Sequence, residues 1–167
     1  MESLEQNPLT NNSKFKEGDN SYKMVRKLGI LVIIFAVISL AMGIVFVQQG
    51  FAKEAFLTEA MKQEQIELDG VEGVIDTAEE AQIAGDTVRE HRHGIAPTYG
   101  DLLGEGRFNP AEPMQLTYAQ ALNLENYLYL AVASFGIFTI VKAIGAFMLV
   151  IGLALGSTGF GLMRVSD

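Results

Sequence analysis

The sequence predicts an all-α membrane protein: an antiparallel two-helix transmembrane hairpin that carries a mostly helical extracytoplasmic domain, with room in that domain for one short β-hairpin. Three observations predict it. Leu28 to Val47, LGILVIIFAVISLAMGIVFV, holds no charge at all. A second apolar stretch, Tyr127 to Phe160, holds a single charge, Lys142. Between them, residues 48–126 hold 15 acidic and 5 basic side chains, a balance of -10, so the net charge of -8 comes from the middle of the chain while both ends are slightly positive. The resulting division is 1–27 cytoplasmic polar tail, 28–48 first transmembrane helix, 49–126 acidic extracytoplasmic domain, 127–160 second transmembrane helix and 161–167 cytoplasmic end.

Residues 1–21, MESLEQNPLTNNSKFKEGDNS, are polar and show no apolar period, which reads as a tail that stays flexible unless a partner holds it. The uncharged run that follows spans the ~30 Å hydrocarbon core at ~1.5 Å per residue. Gly50-Phe51-Ala52 loosely fits a small-x-small cleavage site. The run is nonetheless longer than the ~7–15 residues of a signal h-region, so an uncleaved anchor is expected. Lys23, Arg26 and Lys27 flank the first span and Arg164 follows the second. The positive-inside rule then places both termini in the cytoplasm and the acidic domain outside, in the inner (plasma) membrane.

Gln48 to Glu67 contains no Pro and one Gly, so the first helix is expected to continue past the membrane. Asp69-Gly70 between Ile66/Leu68 and Val74/Ile75 suggests the short hairpin. Thr77-Ala78-Glu79-Glu80 has the form of a capping box, opening a helix from Ala78 to His93 that Gly94 is placed to end. Ala81, Ala84, Val88 and Ile95 give that helix a thin apolar stripe. Residues 94–116 read as loop. A second capping box, Thr117 to Gln120, with a staple from Leu116 to Ala121, is expected to open the last helix, which then meets no breaker for ~40 residues, or ~60 Å.

Small residues recur every seven positions in both spans: Gly29, Ala36, Gly43 and Gly50 in the first, Gly145, Gly152 and Gly159 in the second. Gly152 and Gly156 also form a GxxxG pair. Such spacing lets backbones approach closely in lipid, where apolar burial does not drive association, and a seven-residue period favours a left-handed crossing. Two readings stand: the seams pack the two helices of one chain, or one of them binds another subunit. In antiparallel packing Gly43 is expected near Gly145, and Gly29 near Gly152 to Gly159.

Lys142 either snorkels to a headgroup region or meets a partner carboxylate or anionic lipid, since an unpaired cation in the bilayer is costly. His91 and His93, two apart, point about 200° from each other on a helix and make a poor metal pair. In Glu90-His91-Arg92-His93 the charges read as a helix C-terminal cluster, with Glu90 and Arg92 solvated. Tyr118, Tyr127 and Tyr129 read as interfacial anchors. The chain has no Cys, which excludes disulfides and thiolate chemistry. No EF-hand spacing of oxygens appears. The acidic balance argues against nucleic acid as a partner. No cofactor is expected.

The stretch 87–130, TVREHRHGIAPTYGDLLGEGRFNPAEPMQLTYAQALNLENYLYL, resembles a group of uncharacterised small bacterial two-span membrane proteins, common in Chloroflexi and Actinobacteria. Some of them carry the label aromatic ring-opening dioxygenase, which needs metal ligands of which His91 and His93 are all this chain offers. The resemblance implies the two-span layout and brings no activity or site residues. The expectation is a non-enzymatic accessory or structural subunit whose partners are the lipid bilayer and other membrane-protein subunits or itself. The rivals are a membrane-anchored metal-dependent enzyme using the His91/His93 region, and a small membrane sensor.

Overall fold

The computed structural model describes residues 8–68 and 70–165, with side chains from Tyr22 onward. The expected flexible tail lies partly outside the described residues, as does Asp69 of the expected turn. The order is α1 (Pro8–Glu64), α2 (Ala78–Ile95), α3 (Tyr99–Leu103) and α4 (Pro113–Val165). Among the described residues there is no strand. Both α1 and α4 contain windows long and apolar enough to cross a membrane, and only 11% of each window is buried.

Contacts divide the chain into two units: residues up to Val47 with those from Ala143 onward, and Gln48 to Lys142. In the first unit α1 and α4 run antiparallel. A side chain built at Gly29 would meet Gly159, one at Gly43 would meet Gly145, and one at Gly152 would meet Ala36. Each step of seven along α1 is thus matched by a step of seven back along α4. Ser39 Oγ also donates to the Met148 carbonyl at 2.8 Å, a polar tie between the helices. The backbone of α1 is helical from Pro8, where a polar tail is expected. Pro is well placed in a first helical turn, and no further Pro interrupts the helix.

In the second unit α2 packs by one face against the distal part of α1 and the proximal part of α4. The core is Met61, Ile75, Ala81, Ala84, Val88, Leu128, Ala131 and Phe135. The buried face of α2 is small, so α2 approaches α4 closely: a Cβ at Gly85 would stand 3.1 Å from the Tyr129 ring. The capping box at Thr77 forms in both directions. Thr77 N–H donates to Glu80 Oε2 at 3.0 Å, and Glu80 N–H donates to Thr77 Oγ1 at 3.2 Å.

Several local expectations are corrected. The helix passes Gly94 and stops at Ile95, because Pro97 forces Ala96 into extended backbone (φ -154, ψ 141). The last helix begins at Pro113, so Thr117 lies inside it, and its hydroxyl bonds the Pro113 carbonyl at 2.9 Å instead of capping. Within the expected loop a short α3 forms on its own N-cap, Thr98 accepting from Asp101 N–H at 3.1 Å. Among the described residues the segment of the expected hairpin forms no strand pair. Ile75 N–H donates to Ile66 O at 3.0 Å, but Gly70 (φ 95) and Gly73 (φ 82) coil the segment. Ile66, Leu68, Val71 and Ile75 all pack on the core of this unit.

Candidate functional site

The glycine line of the first unit is tight to the backbone. An added Cβ would lie 2.9 Å from Gly145 O at Gly43, 2.8 Å from Val47 N at Gly145, and 3.0 Å from Gly29 O at Gly159. At Gly152 it would meet Leu40 Cγ at 2.7 Å and Ala36 O at 3.1 Å. Ala36 itself is 2% exposed. The contacts to Gly145 O, Val47 N, Gly29 O and Ala36 O are to main-chain atoms that no rotamer change can relieve, so glycine is a steric requirement at Gly43, Gly145, Gly159 and Gly152. Gly156 differs: its Cβ would reach only Ala36 Cβ, at an ordinary 3.7 Å. The GxxxG pair is therefore half used, with Gly152 in the line and Gly156 beside it.

Lys142 belongs to the second unit. Its Nζ donates to Glu54 Oε2 at 2.6 Å and lies 4.8 Å from the centre of the Phe51 ring. Helical side chains lean toward the N-terminus of their own helix. On antiparallel helices Lys142 and Glu54 therefore lean toward each other and close the gap. Gly50 leaves room for the lysine stem, since a Cβ there would stand 2.5 Å from Lys142 Cγ. Of the sequence-derived residues, Gly29, Ala36, Gly43, Gly145 and Gly152 come together in one line, Gly156 adjoins it, and Lys142 is held by Glu54.

The most buried polar cluster is one that the sequence reading takes as solvated. Arg92 is 8% exposed and Glu125 6%. Arg92 Nε donates to Glu125 Oε2 at 2.6 Å, Nη2 reaches Oε1 at 3.4 Å, and Nη1 donates to the Tyr118 hydroxyl. The guanidinium also lies 4.9 Å from the Tyr118 ring centre. Bonding to the Glu125 carboxylate pushes the Arg92 pKa further up against the opposing effect of burial. Its Nη2 stands 3.1 Å from His93 Nε2, and because arginine only donates, that nitrogen accepts. Among the described residues every buried side-chain nitrogen and oxygen has a partner. A signal for this cluster exists in the spacing. Arg92 follows Ala81, Ala84 and Val88 in helical phase, and Glu125 falls in phase with Tyr118, Leu128 and Phe135.

A second tie joins the same two helices. Tyr129 OH donates to Asp86 Oδ1 at 2.7 Å, and Asp86 also accepts from Arg89 at 2.9 Å and Gln82 at 3.0 Å. The Tyr129 hydroxyl is the main reason the Asp86 carboxyl is held below its usual range. Glu80 is held low too, chiefly by the Asp76 N–H at 3.0 Å. His91 and His93 are both exposed, and among the described residues no three His, Asp or Glu side chains gather where they could hold a metal. A groove of about 780 Å³ is lined in part by Glu54, Asp76, Val132, Phe135 and Thr139. Both of its carboxylates are already paired, with Lys142 at 2.6 Å and Lys62 at 3.0 Å.

Comparison with protein-family models, with curated proteins and with solved structures gives no match.

Proposed function

We propose that this chain is a non-enzymatic two-pass membrane protein, an accessory or structural subunit that contacts other membrane proteins. In this reading the α1–α4 pair crosses the plasma membrane as an antiparallel hairpin. The acidic unit stands on the outer side and both termini lie in the cytoplasm. One observation carries it: the outward faces of the pair are large, apolar and bare. Phe35 is 56% exposed, Val37 59%, Phe147 65% and Leu153 67%. Monomeric soluble proteins rarely expose apolar patches beyond a few hundred Å², whereas lipid tails cover such a surface at no cost. A soluble core helix of the same composition would be mostly buried. The bases Lys23, Arg26 and Lys27, just before the uncharged run of α1, and Arg164, near the end of α4, suit the cytoplasmic side.

The non-enzymatic part of the reading is supported by what the polar side chains do. Arg92, Glu125, Tyr118, Asp86, Tyr129, Lys142 and Glu54 are each bonded to one another across helices, a task of holding. The test is purification from native membranes with identification of co-purifying proteins and metal analysis of the product. Resistance to alkaline carbonate extraction and a stoichiometric protein partner are expected. One Zn²⁺ or Fe per chain, lost in His91→Ala or His93→Ala, would overturn the reading in favour of the metal enzyme.

A further inference from the structure

We infer that the basic end of the α1–α4 pair in the first unit binds the phosphate of an anionic phospholipid between Arg26 and Arg164; this rests on the membrane reading above. Within that unit, Tyr22 to Val47 and Ala143 to Val165 hold four bases, Lys23, Arg26, Lys27 and Arg164, and no acid. All four are exposed. Among the described residues Arg26, Lys27 and Arg164 take part in no ion pair, whereas Lys62, Arg89, Arg92 and Lys142 of the second unit each face a carboxylate.

The register of the seam brings the two arginines to one height. A Cβ at Gly159 would stand 3.0 Å from Gly29 O and 3.2 Å from Ile33 N, so Gly159 lies level with the turn between those two residues. The helices are antiparallel. Counting five residues back along α1 from the middle of that turn, and five forward along α4 from Gly159, arrives at Arg26 and Arg164. They also share a flank. At about 100° per residue, Lys23, Arg26 and Lys27 fall within an arc of about 100° to one side of the seam. Arg164, counted from Gly159 in the opposite sense because α4 runs the other way, turns to the same side. The bond from Ser39 to the Met148 carbonyl lies on the other flank.

Like charges at one height repel unless an anion lies between them. Packed helix axes stand about 8–10 Å apart, a gap that two arginine side chains close from either side. The guanidinium is a rigid fork of donors that matches phosphate oxygens, and Lys23 and Lys27 add charge beside it. These bases border the uncharged run Leu28 to Val47, so in the membrane reading they stand among the headgroups of the cytoplasmic leaflet, where anionic lipids make the surface negative. Leu28 is 50% exposed and Val165 75%, apolar surface beside the charges that an acyl chain covers and a free phosphate does not. A zwitterionic lipid brings its own cation, which four bases disfavour.

The test is the thermal midpoint of the purified full-length chain in neutral detergent, with phosphatidylglycerol, phosphatidylcholine or inorganic phosphate added. Phosphatidylglycerol is expected to raise the midpoint by several degrees and to stay bound in native mass spectrometry. The other two are expected to do neither. Arg26→Gln combined with Arg164→Gln should lose the response, while Arg107→Gln, which removes an exposed base of the second unit, should keep it. Without lipid the double variant should melt no lower than the unaltered chain, since a repulsion has been removed. A phosphatidylglycerol response no larger than that to phosphatidylcholine, or one that persists in the double variant, overturns the inference. An equal response to inorganic phosphate overturns the lipid as the ligand. Carbonate extraction of native membranes separates the two claims. Retained chain without a phosphatidylglycerol response sinks only the lipid site, whereas chain released into the wash sinks the membrane reading beneath it.

Discussion

At the scale of single residues, Arg92 and Glu125 carry the largest individual stake in the acidic unit. Removing one partner leaves a buried charge uncompensated, which costs about 3–5 kcal/mol. Arg92→Met is therefore expected to lower the thermal midpoint in detergent sharply. The pair Arg92→Met with Glu125→Leu should recover most of the loss, because neither charge then remains to be desolvated. A double variant no more stable than the single one would contradict this account. Acid acts on the same unit through Glu80 and Asp86. Both carboxyls have lower pKa values folded than unfolded, so their contribution is complete above the ordinary carboxylate range and is lost as pH falls through it toward the folded values. Midpoints measured from pH 6 down to pH 3 should fall, and Asp86→Asn, which has no carboxyl to titrate at that position, should fall less steeply. The buried arginine was hard to read from sequence because a charge on an apolar stripe looks like the end of the stripe. Its partner Glu125 lies 33 positions away, and no local pattern reports that distance.

At the scale of elements, the glycine seam is a matter of backbone distance. Gly43→Ala or Gly145→Ala already places a methyl within 2.9 Å of main-chain atoms across the contact, so either should reduce detergent-stable folding. Gly156→Ala should be silent, since its methyl enters ordinary contact distance. Equal damage at Gly156 and Gly145, read by size-exclusion profile and melting, would mean that helix composition matters and the line does not. Thr77→Ala should cost about 1 kcal/mol through loss of the N-cap. The seven-residue spacing and the cap at Thr77 were legible because both are written within a few turns of chain. The helix ends that misled were decided by a proline nearby: Pro97 overruled Gly94, and Pro113 opened α4 before the box at Thr117 could. The hairpin misled because Gly70 and Gly73 both take positive φ, which coils the segment, and a two-residue turn signal at Asp69-Gly70 does not report the second glycine.

At the scale of the whole molecule, composition alone separated two apolar spans from an acidic middle, and the helices α1 and α4 follow that division. The separation was legible because lipid and water select opposite surfaces over some 20 residues at a time, a signal that local misreadings do not erase. The central claim of the proposed function is that residues 49–126 face the outside while both ends of the chain stay in the cytoplasm. Single cysteines give a clean reading, with Glu105→Cys in the exposed turn after α3 and Arg164→Cys at the end of α4. A membrane-impermeant maleimide applied to intact cells should label Glu105→Cys at once and reach Arg164→Cys only after lysis. Labelling of Arg164→Cys in intact cells, with Glu105→Cys protected until lysis, would contradict the account.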